Sequence, residues 1–142
     1  MKKFFKKSIT LAIISAILAL TLSSGTYAFG DDSRNEKSGS YWVHGSIDCK
    51  QLSLNVNGKI TNSNARGDDT GVINKGLNVT ISYSYKYYDP AYPQKLYYGG
   101  SGVVNYGEAS KTDKPKTGYY FANAGASYIF DLPTPISFSL EA

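Results

Sequence analysis

The chain has 142 residues, 42% of them hydrophobic and 18% charged, with a single histidine, a single cysteine and a formal charge of +4. One cysteine excludes an intramolecular disulfide, and one histidine beside one cysteine leaves no clustered imidazole or thiolate ligands for a metal. Four of the fifteen basic residues lie in the first 28 and no acid does, leaving eleven of each sign in the remainder, so the concentrated positive patch that nucleic acid requires is missing.

The N-terminus reads MKKFFKKSITLAIISAILALTLSSGTYA. Lysines, a charge-free run from Ile9 to Leu22 and small residues at Thr26 and Ala28 follow the order of a secretory signal peptide. The apolar run is shorter than the roughly 20 residues that span a bilayer. Residues 1–28 are therefore expected to be removed after Ala28, giving a secreted or loosely cell-surface-associated protein; the paired lysines and short apolar run have a bacterial look. Residues 29–40, FGDDSRNEKSGS, are polar and carry both signs, and are read as a flexible leader. Residues 41–142 then form one β-rich domain.

From Tyr41 the apolar period becomes two. In YWVHG, alternation places Trp42 and His44 on one face, with Trp42 expected to be the largest core residue and His44 a partly exposed neighbour. Cys49 is expected to be partly buried or to link two copies through an intermolecular disulfide; no base and third group accompany it for nucleophilic work. Leu52, Leu54 and Val56 alternate with polar residues, and Asn57-Gly58 supplies the positive φ of a tight hairpin turn. NSNARGDDTG, residues 62–71, is a loop. Its Arg66-Gly67-Asp68 is an adhesion tripeptide of low specificity, and Asp68 and Asp69 lack the regular oxygen spacing of a calcium loop.

LNVTISYSYKYY is the clearest strand, with Val79, Ile81, Tyr83, Tyr85 and Tyr87 on one face. DPAYP breaks it, and Asp89 is placed to cap its own backbone. QKLYY returns antiparallel, bringing Tyr97 or Tyr98 opposite the first strand. The glycines at 99–102 allow a bend, and 111–118 is a polar loop. In YYFANAGASYIF, Tyr120, Ala122, Ala124, Ala126, Tyr128 and Phe130 are assigned to one face, the alanines leaving room for rings opposite them. ISFSLEA closes the sheet, with Phe138 inside.

Seven or so strands with one apolar and one hydroxyl-rich face predict an all-β fold, a small antiparallel β-sandwich or alternatively a small β-barrel. No nucleophile elbow, phosphate-cradling loop, metal-ligand spacing or identifiable carboxylate pair is present, so neither enzyme activity nor a cofactor is expected. The chemistry that remains is aromatic. Seven of the thirteen tyrosines lie between residues 83 and 100, and period-two geometry cannot bury them all on one face. The expected ligand-binding surface is the hairpin end formed by Tyr87, Tyr88, Tyr92 and Tyr97, with Trp42 and His44 as a second aromatic spot. Such rings suit an extracellular polysaccharide or a protein surface. A membrane-active, bacteriocin-like toxin is the alternative, disfavoured by neutral charge and serine-rich faces.

Overall fold

The computed structural model describes residues 30–62 and 71–142. The signal segment with its cleavage point, and the Arg66-Gly67-Asp68 tripeptide with Asp69, lie outside those residues. The described residues form eight strands: β1 (Gly30–Ser38), β2 (Tyr41–Lys50), β3 (Ser53–Thr61), β4 (Asn78–Asp89), β5 (Tyr92–Tyr106), β6 (Glu108–Asp113), β7 (Tyr120–Phe130) and β8 (Ile136–Glu141). They make two four-stranded sheets ordered β1-β2-β3-β6 and β5-β4-β7-β8. Every pairing is antiparallel, and the fold is a small β-sandwich.

Alternation fills the space between the sheets. Val43, Ile47, Leu54 and Val56 from one sheet meet Val79, Ile81, Phe121, Tyr128, Phe130 and Phe138 from the other, all buried. Tyr128 has a polar tip in this apolar layer, and its hydroxyl donates to the Ser46 carbonyl at 2.6 Å, which satisfies the group that burial would otherwise strand. The ring needs room. Gly45 and Gly58 face each other across β2 and β3, and a Cβ on either would come within 3.3 Å of the Tyr128 ring. Asn57-Gly58 is therefore strand interior rather than a turn. The β2–β3 turn is Gln51-Leu52, closed by the Lys50–Ser53 pair, and no non-glycine residue there needs a positive φ. Leu52, expected inside, stands 60% exposed at that turn.

Residues 30–38 are not a leader but an edge strand, registered on β2 along its whole length. Gly39, at φ 61°, opens the two-residue turn between them, where glycine is favoured. A strand whose outer edge faces water needs only backbone pairing, which leaves no apolar period to read. Its contribution to the core is a lid: the Arg34 guanidinium lies 5.2 Å from the Phe138 ring centre and is paired with Glu36.

The chain changes sheets at Gly107, whose φ of 76° and approach to the Asn74 carbonyl, 2.6 Å from where a Cβ would stand, admit only glycine. Lys111–Asp113, read as loop, belong to β6 and pair with β3. Residues 99–102, read as a bend, continue β5 in unbroken register with β4. In β7 the register with β4 shifts between Lys86 and Tyr87. The extra residue turns Phe121 into the core and Tyr120 to the outer face, reversing the assignment made from strict alternation.

Candidate binding surface

The tyrosine-rich hairpin is built by β4 and β5. Pro90 and Ala91 turn the chain, and the Asp89 carboxylate accepts the Ala91 N–H at 2.9 Å. On the inner face, Tyr83, Tyr85 and Tyr87 succeed one another toward the open end of the sandwich. Their rings meet Tyr97, Tyr119 and Phe121: Tyr87 stacks on Tyr97 at 5.4 Å, Tyr119 lies edge-on to both at 5.6 and 5.7 Å, and Tyr85 is edge-on to Phe121 at 5.0 Å. Ala124 and Ala126 stand opposite Tyr85 and Tyr83, small residues leaving room for rings as expected. Gly99 does the same from β5, since a Cβ there would lie 2.5 Å from the Tyr85 ring. This inner cluster is a plug that seals one end of the core, and its geometry is that of stabilising aromatic pairs.

The plug has one ionic partner. The Tyr83 hydroxyl donates to the Asp113 carboxylate in a short hydrogen bond. Burial first, and then the Asp113 contact, push the Tyr83 hydroxyl far above its ordinary range; burial and the Asp113 charge raise Tyr85 as well. Both phenols are held neutral within the plug.

The four residues expected to form one hairpin surface are thus divided. Tyr87 and Tyr97 belong to the plug. Tyr88 points to the opposite face, where it is only 7% exposed and lies edge-on to Tyr120 at 6.0 Å. Tyr92, at the turn, is 67% exposed. Trp42 and His44 do share a face, but it is the outer face of the other sheet, and Trp42 is not part of the core between the sheets. They lie toward the end of β2 away from Lys50, whereas the plug adjoins Gln51, whose carbonyl accepts the Phe121 N–H at 2.9 Å. Six to eight residues of strand put roughly 20–25 Å between them and the plug. His44 hydrogen-bonds Asn35 at 2.9 Å, and Lys37 lies over the Trp42 ring at 5.7 Å.

Cys49 is fully buried, and burial together with neighbouring Asp48 pushes its thiol up to about 11. The thiol lies inside the core, with none of its surface presented at the outside of the fold. Asp31, Asp32, Asp48 and Lys50 line a cleft between β1 and β2, with Lys50 paired to Asp48 at 3.1 Å. No trio of histidine, cysteine or carboxylate side chains among the described residues is gathered as metal ligands.

A different surface emerges on the outer face of β5. Four of the six exposed large apolar side chains among the described residues lie on this strand: Tyr92, Tyr98 at 55%, and Val104 and Tyr106 at 62% each. The strand alternation that places Tyr98, Val104 and Tyr106 together also puts Leu96, Gly100 and Gly102 in their row, so two glycines leave a shallow gap between Tyr98 and Val104. Beside Tyr98, at its partner position on β4, is Lys86, with Nζ 6.0 Å from the ring centre. Lys86 is buried, and burial lowers its pKa. Its Nζ, the Ser84 Oγ and the Asn123 Oδ1, on adjoining positions of β4 and β7, have no hydrogen-bond partner among the described residues. The period-two row running through the glycines was the available signal for this surface; reading those glycines as a bend concealed it. Comparison of the chain with protein-family models, curated proteins and solved structures finds no match in any of the three.

Proposed function

We propose that the protein is a secreted, non-enzymatic binding module whose contact surface is the outer face of β5. The observation that carries this reading is the concentration of exposed rings and Val104 on one strand whose glycines leave an open floor between them. A flat, rigid row of amphipathic rings favours a partner with an apolar face and hydroxyl edges. An extended, largely uncharged extracellular polysaccharide has both properties. The balanced charge beyond residue 28 agrees with an uncharged ligand and gives no electrostatic attraction to anionic lipid.

The test is co-sedimentation with cell-wall material and retention on soluble polysaccharides, comparing the parent protein with Tyr98→Ala and Tyr106→Ala. Both substitutions should abolish retention while leaving the denaturation midpoint unchanged, because both rings are exposed. Retention undiminished in both variants overturns the assignment of the surface. Dye release from liposomes in the absence of polysaccharide binding would favour the membrane-active alternative instead.

A further inference from the structure

Four strands terminate the two sheets, and three of them carry the features that discourage pairing with another chain. β1 holds Asp31, Asp32, Arg34, Glu36 and Lys37 among nine residues; β6 is six residues long with Glu108, Lys111 and Asp113; β8 is six residues long and ends in Glu141. Charge and shortness are how proteins blunt sheet edges. β5 has neither. It runs for fifteen residues with Lys95 as its single charge, its one proline is at position 93, and no strand among the described residues pairs on its outer edge. Its register with β4 is unbroken from Leu96 to Tyr106, so that stretch offers an open ladder of backbone donors and acceptors.

The sequence of that edge is complementary to itself. A two-fold axis at Ser101 between two antiparallel copies puts residues whose numbers sum to 202 opposite each other, and this keeps each side chain on its own face of the sheet. Tyr98 then meets Val104 of the second copy, Leu96 meets Tyr106, and Gly100 meets Gly102. Tyr98, Val104 and Tyr106 are each opposite an apolar side chain, in the aromatic–β-branched and aromatic–aliphatic combinations that stabilise cross-strand pairs, the side-chain-free positions coincide, and Tyr92 at the turn lies beyond the paired stretch. An interface of this kind is isologous, the commonest closed symmetry for a homo-oligomer.

We infer that two copies of this chain associate through β5, joining their β5-β4-β7-β8 sheets into one eight-stranded sheet with its two-fold at Ser101. Edge pairing uses the backbone and the flanks of the side chains, leaving the outward ring faces free. The two outer rows become one continuous platform. The association stands on the edge itself and does not depend on what the outer face binds.

Sedimentation equilibrium over a concentration series tests it, with three variants. The parent protein should show twice the chain mass. Val104→Lys, an exposed position, should weaken the dimer about tenfold, since two cross-strand pairs are lost per interface, and adding Tyr98→Glu to it should restore association by placing opposite charges across the two-fold. Ser101→Cys should form a covalent dimer under mild oxidation, while the parent, whose only cysteine is buried, should not. A parent protein that is monomeric throughout the series overturns the inference. So does a dimer that Val104→Lys leaves intact and Ser101→Cys does not bridge.

Discussion

β1 and β5 are both edge strands of the same sandwich, and they meet the solvent in opposite ways. Five of the nine residues in β1 are charged; one of the fifteen in β5 is. β1 lies on β2 with little burial of its own and covers Phe138 with a guanidinium, so it is bound mainly by its backbone ladder. β5 is interlocked with its neighbour through side chains: Tyr97 stacks on Tyr87, and Gly99 receives the Tyr85 ring. The contrast shows that sheet position alone does not decide an edge's character. One edge is protected by charge, and the other is tied into the aromatic plug while its outer row stays apolar.

The core common to both edges sets the scale for perturbing them. Leu54→Ala, at a side chain 1% exposed, should cost about 2–5 kcal/mol, measured by urea denaturation, whichever edge is intact. Gly99→Ala should cost about 1–3 kcal/mol through overpacking against a ring held on several sides. The same change at Gly30 of β1, where a Cβ meets nothing within 4 Å, should stay within about 0.5 kcal/mol. Equal effects at Gly99 and Gly30 would erase the distinction between the two edges.

Alkaline titration probes the core and plug that lie between the two edges. Cys49 is raised from 9.0 to about 11, and Tyr83, Tyr85 and Tyr128 are raised above 10.0, each chiefly by burial. A raised folded-state pKa means that the native state binds more protons than the unfolded state between the two values. Its contribution is complete below the unfolded pKa and is lost above it. Lys86, lowered by burial, acts in the opposite sense below 10.5. Stability should therefore hold to about pH 9 and fall steeply through pH 10–11, with phenolate absorbance appearing at unfolding; a midpoint independent of pH over that interval would show that these groups are not held neutral by the fold. The smallest effect on stability is expected from Val104→Lys. It should stay within about 0.5 kcal/mol yet raise solubility, as charge does at an exposed edge, whereas neutralising Asp31, Asp32 and Glu36 together should lower the solubility of β1's edge.

Features that depend on local period are legible in the sequence. Leu54, Val56, Ile81 and Phe138 alternate with polar neighbours, and all four are buried; Asp89 caps its own turn, and Tyr97 falls opposite Tyr87. Asn57-Gly58 misled because a glycine demanded by a neighbouring ring has the same sequence signature as one demanded by a turn. β1 was missed because a charged edge has no inward stripe to betray it.

The sequence by itself determined an all-β chain, the inward set of most strands, the absence of an intramolecular disulfide and the concentration of tyrosine in one hairpin. Those features follow from the two-residue period, from composition and from turn residues, all of which act within a few positions of chain. Only the tertiary structure decided which tyrosines are plug and which are surface. Tyr87 and Tyr88 are adjacent and chemically identical, yet one packs against Tyr97 and Tyr119 inside the sandwich end while the other lies outside it beside Tyr120. The bulge in β7 that turns Phe121 inward, the ring of Tyr128 that requires Gly58, and the open edge beyond Tyr98 all involve residues distant in sequence. Burial is a property of what lies across the gap, and that is fixed by sheet order and register, which no single strand encodes.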